Sequence, residues 1–355
     1  MIDASTLDFL KENGRTVSFR YELLDKNDLY KKELTTITKC TVRYSSLSQL
    51  KVSAEISMRE DNTVDYLTDR IRPICIRSKG IRSLQFPLGI FLISSPNRNI
   101  SNRFITRDMQ LYSKLYIYAN DRVDSRYTLS KGINAIAEVK RLLNTFKINI
   151  PDNDYVTSTN REWEIGTSKL EIINDLLDSA NYTSLIVDAD GYFIAEPYIL
   201  PSDREIEIEY VDDIKSVLSP NMTEEMDLFN IPNKFIAYTN DPDSEPLRSV
   251  YVNDNIESIT STVNTGIIKT AEPIELTDAT QDMLDERVKR AAYNASQVYS
   301  HIDFKTAIMP IHGYMNTLYI KHKDILQGKY TETSWEIDCK AGAYMSHRAR
   351  KVVVI

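Results

Sequence analysis

"TVSFRYELL", residues 16–24, alternates apolar and polar side chains without a break. Val17, Phe19, Tyr21 and Leu23 fall on one side, and Thr16, Ser18, Arg20 and Glu22 on the other. A period of two marks a half-buried β-strand, because successive side chains of a strand point to opposite faces. The polar "DKND" (25–28) that follows predicts a hairpin bend. The pattern returns in "KVSAEISM" (51–58) through Val52, Ala54, Ile56 and Met58. It returns again in "SKLYIYAN" (113–120) through Leu115, Ile117 and Ala119. Short strands separated by turn signals up to about residue 120 predict a sandwich or barrel.

Helical spacing interrupts this pattern. Residues 5–12 predict a short helix capped by Ser5 and closed by Gly14, with Leu7 and Leu10 on one face. A second helix is expected over 131–146, capped by Ser130, with Ile133, Ile136, Ala137, Leu143 and Phe146 apolar. "SKLEIINDLLDSA" (168–180) carries a capping box, Ser168 with Glu171, and an apolar face of Leu170, Ile173 and Leu177. The longest, about 278–300, spaces Leu284, Val288, Ala291, Ala295 and Val298 by four and three. Asp285, Glu286, Lys289 and Arg290 take its other side.

Strands resume after residue 205. "REIEIEYV" (204–211) sets Glu205, Glu207 and Glu209 against Ile206, Ile208 and Tyr210. "KFIAYTN" (234–240) and "LRSVYVN" (247–253) flank "DPDSEP" (241–246), whose prolines forbid regular pairing. "TLYIKHKDIL" (317–326), "TSWEIDC" (333–339) and "RKVVVI" (350–355) supply the remaining runs. The fold class is α+β, mainly β. At 355 residues the chain exceeds the usual size of a single core, so two or three domains are expected.

Composition excludes several classes. With 42% hydrophobic and 26% charged residues the chain is an ordinary folded protein. A formal charge of −8 argues against a surface that grips phosphates. Cys40, Cys75 and Cys339 are far apart and odd in number, and no C-x-x-C pair suggests zinc, so a reducing cytoplasm is expected. "MIDASTLDFLKENGR" (1–15) lacks the basic start and apolar core of a signal peptide. "GIFLI" (89–93) is too short to cross a bilayer.

Each chemical motif gives way to a plainer reading. "SLIVDADGYFIAEPY" (184–198) holds Asp188 and Asp190 before Gly191, like the start of a calcium loop. Aligning Gly191 as the sixth residue of an EF-hand loop puts Ile186 first and Pro197 twelfth, where oxygen ligands belong. Asp-Gly between two apolar runs is instead the signal for a hairpin with a tight primed turn. His301, His312, His322 and His347 show no zinc-binding spacing, which leaves only a site assembled in space, and packed or polar histidines are the simpler expectation. "SQLK" (48–51) matches S-x-x-K but lacks its companion elements and leads into a strand. With 10 glycines and no G-x-S-x-G, Walker or G-x-G-x-x-G motif, neither a nucleophile elbow nor a phosphate loop is expected. Asp212–Asp213 and Glu224–Glu225 read as solvated surface. The 21 tyrosines fit cross-strand packing better than a sugar platform.

Several stretches in succession resemble the phage tail hub, or baseplate hub, proteins. "DYLTDRIRPICIRS" (65–78) leads into "FPLGIFLISSPNR" (86–98), with its Leu-Gly-x-Phe. The helix from Ser130 follows, then "EWEIGTSKLEIINDLLDSANYTSLIVDADGYFIAEPY" (162–198) and the helix "TDATQDMLDERVKRAAYNAS" (277–296). The resemblance implies two β-barrel domains with a small α/β domain between them. The expected division is 1–128 for the N-terminal helix and first barrel, 129–205 for the intervening domain, and 206–355 for the second barrel with its long helix.

The resemblance also implies a non-enzymatic homotrimeric ring without cofactor or metal. Such a ring joins the hexameric tail tube or distal tail protein to a spike or fibre at a virion's tail tip, assembled in the host cytoplasm. The tape-measure protein is an expected neighbour, and DNA passes through without being bound. Glu205, Glu207 and Glu209 are then candidates for a channel lining that repels phosphate. Many members continue into a peptidase or lysozyme domain, whereas this sequence stops at "VVVI" (352–355). A lytic module is therefore expected on a separate protein or a longer form of the chain. The rival readings are a cell-wall hydrolase or peptidase using dispersed residues, and a carbohydrate-binding module.

Overall fold

The computed structural model describes residues 4–355, apart from 13, 15, 102–103, 214–215, 227–229, 241–244, 277–278, 298–299, 324 and 354. The first strand block comprises α1 (Ala4–Lys11), β1 (Thr16–Leu24), β2 (Tyr30–Glu33), β3 (Ile37–Ser45) and β4 (Val52–Arg59). It continues through β5 (Arg70–Lys79), β6 (Arg82–Pro87), β7 (Phe91–Ile100) and β8 (Ile105–Ser113). The middle segment starts with α2 (Leu115–Asn120), β9 (Tyr127–Leu129), α3 (Ala135–Leu143) and β10 (Ile148–Asn149). It ends with β11 (Arg161–Trp163), α4 (Lys169–Ser179), β12 (Ile186–Val187) and β13 (Phe193–Ile194).

The last part opens with β14 (Ile208–Val211) and β15 (Leu218–Met226). An insertion follows: β16 (Lys234–Thr239), β17 (Arg248–Val252), α5 (Thr262–Thr265), β18 (Ile274–Leu276) and α6 (Gln281–Ser296). The chain closes with β19 (Ser300–Ala307), β20 (Thr317–His322), β21 (Leu326–Asp338) and β22 (Tyr344–Lys351).

The two strand blocks share one 14-stranded sheet, whose main path runs β15-β19-β22-β21-β3-β4-β8-β7-β5-β1-β2. β14 and β20 branch from β21, and β6 from β5. The blocks meet where β21 pairs antiparallel with β3, Trp335 opposite Tyr44 and Ile337 opposite Val42. One hydrophobic core runs through this seam, from Leu23, Ile56 and Leu111 on one side to Ile302, Ile320 and Met345 on the other. Among the described residues no strand pairing closes the path into a barrel; β15 and β2 lie at its two ends.

The middle segment has its own core of Leu115, Ile136, Val139, Ile173, Leu177 and Phe193, between α3, α4 and the small β10-β13-β12 sheet. The insertion packs α6 on the β17-β16-β18 sheet through Phe235, Ala237, Leu284, Val288 and Ala292.

β1 and β4 take the expected pleat, and α4 starts on Ser168, whose hydroxyl accepts from the Glu171 N–H at 3.2 Å. Other expectations are corrected. "SKLYIYAN" is helical, not a strand: Leu115, Tyr118 and Ala119 turn onto the middle core at helical spacing, and Tyr112 stacks on Tyr116 at 5.4 Å. The helix predicted over 131–146 spans only Ala135–Leu143. Asn134 caps it in place of Ser130, after Gly132 adopts φ 85°, and Asn144 ends it in the left-handed region. Ile133, Ala137 and Phe146 consequently stay exposed. In α1, Ser5 lies inside the helix and does not cap it. Val298 and residues 241–244 lie outside the described residues.

The two bends read from the sequence meet each other. β12 and β13 form the expected hairpin, but its turn differs from a two-residue primed one: Asp188 N–H pairs with Tyr192 O, leaving three loop residues with Gly191 at φ 85°. One oxygen of the Asp188 carboxylate accepts from the N–H groups of Asp190 and Tyr192 and so braces the turn. Lys114 donates to the Gly191 carbonyl at 3.3 Å and reaches the Asp28 carboxylate in the "DKND" bend. Arg70 and Lys147 converge on the same carboxylate, Lys147 at 2.9 Å. Burial of Asp28 raises its pKa; the three cations outweigh that and hold it below the usual carboxylate range.

Asp28→Asn keeps the shape and tolerates the positive φ of this residue, but leaves three cations without their counter-charge. Urea unfolding should show a loss of about 3 kcal/mol, partly restored by adding Lys114→Met. Unchanged stability in the single variant rejects this junction as an electrostatic one.

Candidate assembly face and the buried polar cluster beneath it

The alternation of β3, β21, β22 and β19 sends one set of side chains into the core and the other onto a polar face that crosses the seam. Arg43 lies between Glu55 and Glu336, 2.5 Å from each, and Gln110 extends the row to β8 at 3.1 Å from Glu55. Arg348 grips Asp303 in a two-pronged pair at 2.8 and 2.7 Å, and His301 meets Glu225 at 2.9 Å. The charges of this face largely neutralise one another. Over it lies a groove of about 960 Å³ lined by Arg43, Pro220, Lys305, Trp335, Tyr344 and Arg348.

Beneath the groove the core contains a polar cluster. Glu332 is fully buried and accepts through one oxygen from His312 Nδ1 at 2.5 Å and through the other from His347 Nδ1 at 2.6 Å. The outer nitrogens are also occupied: Tyr210 Oη lies 2.5 Å from His312 Nε2, and Thr306 Oγ1 lies 2.8 Å from His347 Nε2. His347 stacks on Phe304 at 4.6 Å, and Tyr210 on His312 at 5.9 Å. Every polar atom of the carboxylate and both rings thus has a partner, which is the condition for burying them at tolerable cost.

Burial pushes the His347 pKa down to about 4 against the pull of Glu332, so the ring is neutral at pH 7. Burial likewise raises Glu332, but its interactions with His312 and His347, the two Nδ1–H donors among them, win and hold it below the usual range. Burial, with the Glu332 charge, drives Tyr210 well above its ordinary value and keeps its hydroxyl as the donor.

Among the described residues two side-chain groups have metal-binding composition: His312, Glu332 and His347 in the core, and Glu225, His301 and Asp303 at the surface. In the first, each imidazole Nδ1 already donates a proton to its own carboxylate oxygen. In the second, Arg348 occupies Asp303. Hydrogen bonding accounts for both.

Two of the four histidines therefore share one site. The strand order brings His312 and His347 together on Glu332, which no sequence spacing announced. Glu332 was missed because β21 is bulged between Glu332 and Ser334: Tyr330 and Glu332 face inward, and so do Trp335 and Ile337 one residue out of phase. That switch of phase between Tyr330 and Trp335 along one strand was the available signal.

The acidic stripe is only partly a strand face. β14 begins at Ile208, so Glu209 is exposed between buried Ile208 and Tyr210 as expected, but Ile206 is 43% exposed. Glu205 is exposed as well, while Glu207 is held by Arg204 at 3.3 Å and by the amide of Asn316. The three carboxylates do not form one free row.

Below about pH 6.5 the unfolded chain takes up a proton at His347 that the folded chain refuses until about pH 4. This contribution is complete above pH 6.5 and disappears as the pH falls to 4, a loss approaching about 3 kcal/mol, with Glu332 adding to it at the acid end. Thermal unfolding across pH 4–7 should show this acid limb. His347→Phe should be less stable at pH 7 yet have a shallower limb; an unaltered limb removes His347 as its source.

No family model matches the chain, and no curated protein matches it in sequence. Solved structures do match its fold. A tail protein from Neisseria meningitidis superposes with a TM-score of 0.69 at 8% identity, over 94% of this chain and 97% of that one. A tail protein of prophage MuSo2 from Shewanella oneidensis gives 0.63 at 9% identity, over 93% and 98%. A prophage tail protein from Listeria monocytogenes gives 0.59 at 12% identity, over 93% and 94%. The likeness covers nearly the whole of each chain and is one of architecture, not of residues. The resemblance read from the order of elements is met in three dimensions: this chain has the fold of these bacterial and prophage tail proteins.

Proposed function

We propose that the chain is a structural, non-enzymatic component of a phage tail tip or baseplate. Three copies form a ring that joins the hexameric tail tube to a spike or fibre and lets DNA pass. The supporting observation is the single sheet through both strand blocks, in a fold shared with three bacterial and prophage tail proteins. In this reading the blocks at 1–128 and 206–355 are two barrel-like halves, and 129–205 is the domain between them. Exposed edge strands invite pairing with another chain. β15, largely exposed, and β2 supply edges at opposite ends of the path for neighbouring copies.

A ring component needs rigidity and interfaces rather than a reactive centre. The polar groups found here fit that need: Asp28 joins the first block to the middle segment, and Glu332 ties strands within the second block. Among the described residues no helix is long and apolar enough to cross a membrane. An overall charge of −8 and a face of paired charges suit passage of DNA without adhesion, with Glu205 and Glu209 as exposed contributors.

Analytical ultracentrifugation over a wide concentration range, with the chain alone and mixed with the tail-tube protein of the same gene cluster, tests this reading. A particle of three chains, or a ring docked on the tube in electron micrographs, is the expected result. A chain that stays monomeric in both settings rules it out.

A further inference from the structure

The three cysteines, scattered in the sequence, belong to one core cluster: Cys40 and Cys75 within it and Cys339 packed against it. Two of them face each other across the seam. Thr41 of β3 lies opposite Asp338 of β21, and their side chains hydrogen-bond at 2.8 Å on the outer face. One residue further, Cys339 N–H donates to the Cys40 carbonyl at 2.9 Å, so the ladder continues and this pair turns to the core side. Residues directly opposite on antiparallel strands have Cα atoms about 4.5–5.5 Å apart, inside the range a disulfide spans.

Access separates the three. Cys40 is 3% exposed and Cys75 is closed off, whereas Cys339, just beyond the end of β21, is only half-buried. An oxidant from solution therefore meets Cys339 first, with Cys40 behind it and within reach.

We propose that Cys40 and Cys339 form a thiol–disulfide site that locks the β3–β21 seam, its oxidant a small disulfide such as glutathione disulfide. The Cys339 thiolate attacks one sulfur of the oxidant, forming a mixed disulfide and expelling one glutathione thiolate. The Cys40 thiolate then attacks the Cys339 sulfur, and the second glutathione thiolate leaves. Two protein thiols and one glutathione disulfide become one protein disulfide and two glutathiones, the protons passing to the released thiolates. The neighbouring Cys40, then burial, raises the Cys339 pKa, so the first attack is slow at neutral pH and quickens as pH rises. Cys75, pushed up to about 12 by burial, stays a thiol. The link joins residue 40 to residue 339 and constrains nearly the whole unfolded chain, so the oxidised protein should melt at a higher temperature.

The full chain is incubated folded with glutathione disulfide, quenched with iodoacetamide, unfolded, and analysed by thiol count and non-reducing peptide mass spectrometry. The expected result is one remaining thiol of the three, a mass lower by two hydrogens, and a cross-linked peptide containing Cys40 and Cys339. The rate should rise with pH, and the Tm should rise on oxidation. Cys75→Ser should form the same link, and Cys339→Ser should keep both of its thiols. Three surviving thiols, a stable glutathione adduct at Cys339, a link through Cys75 or to a second chain, or an unchanged Tm overturns the proposal.

Discussion

Five residue pairs between 334–338 and 41–45 hold the two strand blocks together. Each block would otherwise end in a bare sheet edge there, an exposed row of unpaired backbone groups. The pairing carries the main path from β15 through to β2, and the core follows it, with Val42, Tyr44, Trp335 and Ile337 packed on one side. Contacts between segments so far apart in the chain carry a large loop-closure cost. The apolar surface buried along the seam is what offsets it.

Charge is placed inside this structure on consistent terms. Asp28 lies among three cations where the first block touches the middle segment, and Glu332 is shared by two imidazoles beneath the polar face. Both carboxylates stay ionised because the partners outweigh the desolvation. Such groups contribute less to net stability than to the choice of one arrangement, since any other packing leaves them unpaired. A component that must present fixed surfaces to several neighbours benefits from that uniqueness.

Local features were legible wherever one segment carried its own signal. The capping box at Ser168, the pleat of β1 and β4 and the Asp-Gly hairpin all stand where the residues indicated. Reading failed where two periods fit the same letters. Leu115, Ile117 and Ala119 satisfy a strand, and Leu115, Tyr118 and Ala119 satisfy a helix equally well; the middle core selected the helix. The partners of Glu207 in the acidic stripe were not legible, because Asn316, which joins Arg204 in holding it, lies more than a hundred residues away.

The sequence by itself determined the mainly β class and most of the element types, because hydrophobic period, caps and turn residues act within a few positions of one another. Only the tertiary structure decided which distant strands became neighbours, and with that the seam, the Glu332 cluster and the meeting of Cys40 with Cys339. Those contacts depend on strand register and on a bulge in β21, and a residue's nearest neighbours in the chain carry no record of what lies opposite it across a sheet.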